Sequence, residues 1–296
     1  MKGNDMDRRG FLKTVPLAAA VPVLTGIPSL RELFIDDDDA VICSKKFELA
    51  ASLRLQSKPI GDVIVEMGRS FLGTEYVANT LEQPGEEHLV INLHGLDCVS
   101  FYENSLVFAR CIKKGKTTFE DYKKELQWIR YRGGIINGYT SRLHYSSDYF
   151  FDNEKKHVLK VVTKDIGGVR FEKSINFMST HPDSYRQLKD NPELVATIRK
   201  QEAAINSREL YHIPTHTVAK VAPKIHNGDI LAITTDIPGM DVSHTGVAIW
   251  VDDRLHFLHA PITGSKVQIT EKTLAEYLAS SPKRLGIMVA RPLEPF

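Results

Sequence analysis

Three features of the sequence predict an α+β fold. A helix that is apolar around most of its girth runs over residues 95–114, and such a helix belongs inside a domain, packed on both sides. From residue 227 onward, short strand-like runs follow one another at close intervals, the pattern of an antiparallel sheet. Nothing repeats and no low-complexity linker cuts the chain, so helix and sheet belong to one unit.

Composition narrows the function classes. Of the 296 residues 42% are hydrophobic, enough for a real core. Lys and Arg number 38 against 37 Asp and Glu, a net charge of +1, which supplies no field to gather nucleic acid or hold an anionic membrane. Three cysteines, Cys43, Cys98 and Cys111, are too few for a disulfide framework or a four-cysteine zinc site. They leave room for one disulfide, Cys43 to Cys111.

The amino terminus carries an address. Asp7, Arg8, Arg9, Gly10, Phe11, Leu12 and Lys13 match the twin-arginine export consensus, and an uncharged apolar run follows over 14–30. The alternative is an accidental basic pair before a general secretory signal. Pro16, Pro22 and Pro28 make the run a poor permanent membrane helix, and Ala18 and Ala20 offer an A-x-A cleavage site. Cys43 follows Ala40, Val41 and Ile42 rather than a small-residue lipobox, which argues against a lipoprotein. Residues 1–35 are therefore expected to form an export segment, and 36–296 a single domain with an inserted region at about 115–215. Periplasmic or otherwise exported location is expected, with the twin-arginine translocase as partner during export and no stable membrane association afterwards.

Along the domain, Pro59 opens a helix whose Ile60, Ile64, Met67 and Phe71 fall on one stripe, and Gly73 ends it. Residues 74–92 read as a loop with short extended pieces, 89–91 being the best strand. In the apolar helix, Asp97 is a preferred N-cap and Gly95 permits a tight entry turn. Side chains suited to burial recur as Phe101, Ser105, Phe108, Ile112 and as Val99, Tyr102, Leu106, Ala109, leaving Glu103, Arg110 and Lys114 as a wet face. A more polar helix follows over 117–131, closed by Gly133 and Gly134, then a loop over 137–152 rich in Tyr, Ser, Arg and His. Strands are expected at 158–163 and 169–177. Asn191 caps, and Pro192 begins, a surface helix to about residue 207. The closing sheet takes 229–235, 244–251, 254–260, 266–270 and 285–292, with a turn at Asp252 and Asp253 and a short helix over 271–279.

Chemistry centres on Cys98 at the first turn of the apolar helix. There the helix dipole and free backbone N–H groups favour a thiolate; the alternative is a small buried hydrophobe. A cysteine hydrolase needs a base for its thiol and a third group to orient that base. His244 opens one strand and His259 ends the next, so antiparallel pairing around the Asp252–Asp253 turn makes them neighbours. His256, three residues before His259, falls on the opposite face. Against these roles stand structural or surface histidines, and a zinc set of His144, His244, His259 and Asp241, which lacks the close spacing of a metal motif. No cofactor is expected. A buried helix carrying a nucleophilic cysteine, followed by an antiparallel sheet carrying histidines, is the layout of papain-like α+β folds.

The motifs themselves resemble a family. GLDCVSF (95–101), DVSHTGVAI (241–249) and FLHAP (257–261) resemble the Asp-Cys, His-x-Gly and His-Ala signatures of NlpC-type papain-like peptidoglycan hydrolases, and FLGTEYV (71–77) their Gly-x-x-Tyr entry motif. SRLHYSSDY (141–149), STHPDSY (179–185) and NGDILAI (227–233) narrow this to the NlpC-like N-acetylmuramoyl-L-alanine amidases, over about 58–293. The resemblance implies a papain-like fold with helical and loop insertions, Cys98 as nucleophile, His244 as base and acid, and His259 as orienting group. It places Tyr76 beside an oxyanion site formed where Asp97 leads into the Cys98 helix, with Glu75 standing where relatives usually have proline. Arg142, His144, Tyr145 and Asp148 match an Arg-x-His-Tyr loop and would line the substrate pocket; the alternative is a purely structural loop. The implied activity is hydrolysis of the N-acetylmuramoyl-L-alanine bond of peptidoglycan or muropeptides by an exported cysteine amidase. The alternatives are a γ-D-glutamyl-diamino acid endopeptidase of the same fold and a non-catalytic peptidoglycan-binding module.

Overall fold

The computed structural model describes residues 30–262 and 264–296, with side chains from residue 38 onward. The twin-arginine motif, the A-x-A site and the apolar run up to residue 29 lie outside the described residues.

In chain order the elements are α1 (Leu30–Ser52), α2 (Ile60–Arg69), β1 (Glu75–Tyr76), β2 (Gly95–Leu96), α3 (Cys98–Lys114), α4 (Phe119–Arg130) and α5 (Ser146–Lys155). Then follow β3 (Leu159–Val161), β4 (Val169–Arg170), α6 (Phe177–Thr180), α7 (Pro192–Asn206), β5 (Tyr211–Pro214) and α8 (Val218–Val221). The chain closes with β6 (Ile230–Thr235), β7 (Val242–Val251), β8 (Arg254–His259), β9 (Gln268–Ile269), α9 (Leu274–Ala279) and β10 (Arg284–Pro292). Strands run in the order β4-β5-β10-β6-β7-β8-β9, with β3 on β10, every pair antiparallel. A separate two-residue parallel pair, β1 with β2, leads the chain into α3.

The sheet is apolar on both faces because helices cover both. On one face Val247, Ile249 and Leu258 join Phe101, Leu106 and Phe108 of α3 in the main core. On the other, Ala248, Leu255 and Phe257 pack with Leu274 and Leu278 of α9. Alternation along β7 thus sorts its side chains between the α3 face and the α9 face. The start of α2 is locked to the turn before β6: Gly228 has φ +80°, and a Cβ on Gly61 would stand 2.2 Å from the Asn227 carbonyl oxygen. Only glycine permits that approach.

Several local expectations needed tertiary information. The wet face drawn for α3 does not exist. Glu103 and Arg110 are buried because α4 brings their partners: Arg130 lies 2.8 Å from Glu103, while Arg110 and Lys114 both hold Glu125. Residues 89–91 are not a strand, and the extended pieces there are β1 and β2. The polar loop expected over 137–152 contains α5, whose core residues Tyr149 and Phe150 were masked by polar neighbours. The strand expected over 169–177 pairs only at Val169 and Arg170. α1 was not anticipated; it passes through residue 36 and buries Cys43, Phe47 and Ala50 in the main core. Cys43 and Cys111 are both buried free thiols, unbridged. Among the described residues no helix is long and apolar enough to cross a membrane.

Candidate active site

The first turn of α3 is fixed by a reciprocal cap. Asp97 accepts hydrogen bonds from the backbone N–H of Val99 (3.0 Å) and Ser100 (2.7 Å), while its own N–H donates to Ser100 Oγ (2.9 Å). This capping box holds Cys98 as the first helical residue, where backbone N–H groups have no helical partners. Across from it, Thr245 on β7 donates its hydroxyl to the Cys98 carbonyl at 2.9 Å. The residue beside His244 is thereby tied to the nucleophile candidate.

The thiol is not the activated thiolate that its helix position predicts. Cys98 is partly exposed, yet its sulfur is surrounded by protein, and burial first, the Asp97 carboxylate second, push its pKa up to about 11. Hydrogen bonds to the sulfur from Thr245 oppose this and are outweighed. Desolvation therefore wins over the helix terminus.

The histidines meet as the hairpin requires. Val247 pairs with Leu258 and Ala248 with Phe257, so continuation of the register sets Gly246 opposite His259 and brings His244 to it diagonally on the same face. His244 Nε2 lies 2.7 Å from His259 Nδ1. The glycine between them is sterically required: a Cβ at Gly246 would lie 2.6 Å from the Leu258 carbonyl oxygen and 2.7 Å from the Phe257 ring. A register shift opposite Ile233 and Thr234, just before His244, re-aims the strand there, as β-bulges do beside functional sites. Burial, with Arg284 second, lowers the His244 pKa to about 4; burial, then His244 and Arg284, lowers that of His259 further. Resting thiol and imidazole are therefore both uncharged at neutral pH. His256 is turned the other way, its Nδ1 2.8 Å from the Thr270 carbonyl.

Asp97, Cys98, His144, Asp241, His244 and Thr245 line one cleft of about 300 Å³. Asp241 is the joint that closes it. Its carboxylate accepts from the Ser147 N–H at 2.8 Å and the Val242 N–H at 2.7 Å, so it caps α5 from a distance and docks the 142–148 segment beside β7. Sequence reasoning gave Asp241 only a place in a zinc set. Among the described residues no group of three His, Cys, Asp or Glu is arranged to hold a metal ion.

The other expected site residues divide. Tyr76 pairs with Leu96, two residues before Cys98, and burial, Cys98 and Asp97 push its phenol up to about 12. Arg142 lines the cleft but is spoken for, with Nη2 2.8 Å from Glu82 and Nε 3.1 Å from Glu87. Tyr145 donates to Glu202 (2.8 Å) and accepts from the Met178 N–H (2.9 Å). Asp148 is clamped between Arg132 (2.6 Å) and Arg208 (2.7 Å) and does not line the cleft. His144 alone of the four turns a ring nitrogen to the cleft unencumbered: its Nε2 donates to the Tyr139 carbonyl at 2.9 Å, and burial and Arg142 keep it neutral. Glu82, Glu103, Arg130 and Thr245 are cleft residues that the sequence did not single out. Only Thr245, inside the His-x-Gly run, carried a local signal.

Comparison with known proteins adds the family. The family model "N-acetylmuramoyl-L-alanine amidase-like" (AmiA-like) matches residues 66–287. Two crystal structures of an N-acetylmuramoyl-L-alanine amidase from Bacteroides uniformis superpose with TM-scores of 0.75 and 0.76 at 38% and 37% identity, each over 79% of this chain and 98% or 99% of theirs. A Bacteroides fragilis protein provisionally described as a xylanase is 40% identical, with TM-score 0.72 over 76% of this chain and 98% of its own. No curated protein matches. With its match over residues 66–287, the chain belongs to the N-acetylmuramoyl-L-alanine amidase-like, AmiA-like, family.

Proposed function

We propose that this protein is an exported cysteine amidase of papain-like, NlpC-type architecture that cleaves the bond between the lactyl group of N-acetylmuramic acid and L-alanine. The observation that carries the reading is the convergence of Cys98, at a capped helix start, with the bonded His244–His259 pair at one cleft. Because thiol and imidazole rest uncharged, the thiol proton passes to His244 as sulfur attacks the lactyl carbonyl carbon. The oxyanion forms near the amides of the α3 first turn. Collapse breaks the C–N bond, His244 returns the proton to the departing alanine nitrogen, and a muramoyl thioester remains. Water, deprotonated by His244, then releases the carboxylate and restores the thiol.

The family and the Bacteroides uniformis relatives support the substrate class; the twin-arginine motif supports export. Glycosidase chemistry needs a pair of available carboxyl groups, whereas Asp97, Asp241 and Glu103 in this cleft are engaged by backbone N–H groups or Arg130. Incubation with a muropeptide and mass measurement of the products tests the reading. An intact stem peptide with a free amino-terminal L-alanine is expected; cleavage between D-glutamate and the diamino acid would replace the amidase with the endopeptidase.

A further inference from the structure

The third group of a catalytic triad normally offers an oxygen acceptor to the base. Here it is an imidazole, and a neutral imidazole has one donor and one acceptor. That makes the proton positions in the His244–His259 pair a question of tautomers. His259 Nδ1 faces His244 Nε2 at 2.7 Å. Its other nitrogen, Nε2, is buried with no hydrogen-bond partner.

Only one arrangement leaves His244 competent as a base through its remaining nitrogen, Nδ1. His244 must carry its proton on Nε2 and donate to His259 Nδ1, which puts the His259 proton on Nε2. The opposite arrangement, His259 Nδ1–H donating to His244 Nε2, places a proton on His244 Nδ1 and leaves no lone pair for the thiol. What surrounds His259 Nε2 therefore decides whether the base is armed.

The surroundings are aromatic. Tyr277 stands edge-to-face with the His259 ring, centroids 5.3 Å apart at 81°, while Phe257 is tilted at 40° and 4.7 Å. An N–H directed at a π-system is attractive, whereas a lone pair directed there meets the negative face of the ring quadrupole. Tyr277 is itself held: Thr273 and Glu276 form a capping box at the start of α9, Leu274 and Leu278 anchor that helix on the sheet, and the Arg284 guanidinium stacks 4.0 Å from the Tyr277 centroid. We infer that Tyr277 is a positioning residue that selects the Nε2–H tautomer of His259, and through it the Nδ1 lone pair of His244.

The inference rests on the proposed cysteine mechanism, so its test does not use substrate. Protein labelled with ¹⁵N-histidine reports the tautomer of each ring directly, with assignments from His244→Gln and His259→Gln. In the unmodified protein His259 and His244 are expected to be protonated at Nε2 and bare at Nδ1; a proton on His259 Nδ1 overturns the proposal outright. Tyr277→Phe keeps the ring and should leave both the tautomer and the iodoacetamide rate of Cys98 unchanged. Tyr277→Leu should raise the Nδ1–H population of His259 and lower the alkylation rate, each by about two- to fivefold. A Leu variant indistinguishable from the unmodified protein overturns it; if that variant does not fold, the spectrum of the unmodified protein still decides. Absence of muropeptide cleavage would remove the amidase assignment while leaving the tautomer reading intact.

Discussion

Asp97 does two opposing things, and charge removal separates them. Its carboxylate caps α3 through Val99 and Ser100, and it helps hold the Cys98 thiol at about 11. Asp97→Asn keeps an acceptor oxygen and loses the charge. With roughly 6 Å between neighbouring side chains and an effective dielectric of about 40, the lost repulsion is about 1.4 kcal/mol, or about one pKa unit. Stability changes less, by about 0.3–1 kcal/mol for the lost charge–dipole attraction, lowering Tm by about 1–3 °C. Asp97→Ala removes the cap as well and should cost about 1–2 kcal/mol. The assay is the pH profile of iodoacetamide alkylation. It reports Cys98 selectively, because Cys43 and Cys111 are 0% and 1% exposed and burial pushes both thiols up. A midpoint about one unit lower in Asp97→Asn is expected; a midpoint unchanged or higher would refute the electrostatic role given to Asp97.

Three further outcomes follow from the site's construction. His244 titrates at about 4 in the folded chain against 6.5 otherwise, so between those values the unfolded chain binds a proton that the folded one does not. Its contribution to stability is therefore present above pH 6.5 and lost as the pH falls toward 4, and Tm plotted against pH should fall less steeply over that window in His244→Gln than in the unmodified protein. Glu103→Gln strands the Arg130 guanidinium, whose partner side chain is 2% exposed, and should cost about 3–5 kcal/mol in denaturant unfolding; replacing both residues by Met should recover most of the loss. Gly246→Ala forces a Cβ to within 2.7 Å of Phe257, which should lower stability by about 1–3 kcal/mol and slow Cys98 alkylation by parting the histidines.

The site was legible where one local pattern carries the geometry. Asp97 before Cys98 announces a cap, and the hairpin turn at Asp252 and Asp253, both at positive φ, fixes the register that joins His244 to His259. Charge on α3 was misread for the converse reason: nothing within residues 98–114 shows that α4 will cover Glu103 and Arg110 with partners of opposite sign. The Arg142 loop was recognised as a segment but not in its wiring, since Glu82 and Asp241 come from 60 and about 100 residues away. The thiol's state was unreadable from its neighbours in sequence, because burial is a property of the assembled cleft. α1 lacked an apolar stripe strong enough to signal it, and its place in the core depends on Cys43, Phe47 and Ala50 finding α3.

The intermediate tests the account most directly. Mixing the protein with a muropeptide, quenching in acid and weighing the intact chain should reveal an adduct of one N-acetylmuramoyl group less water, mapped to Cys98 and absent from Cys98→Ala, which should also release no stem peptide. An adduct carrying L-alanine and D-glutamate, or unimpaired hydrolysis by Cys98→Ala, would contradict the proposed chemistry.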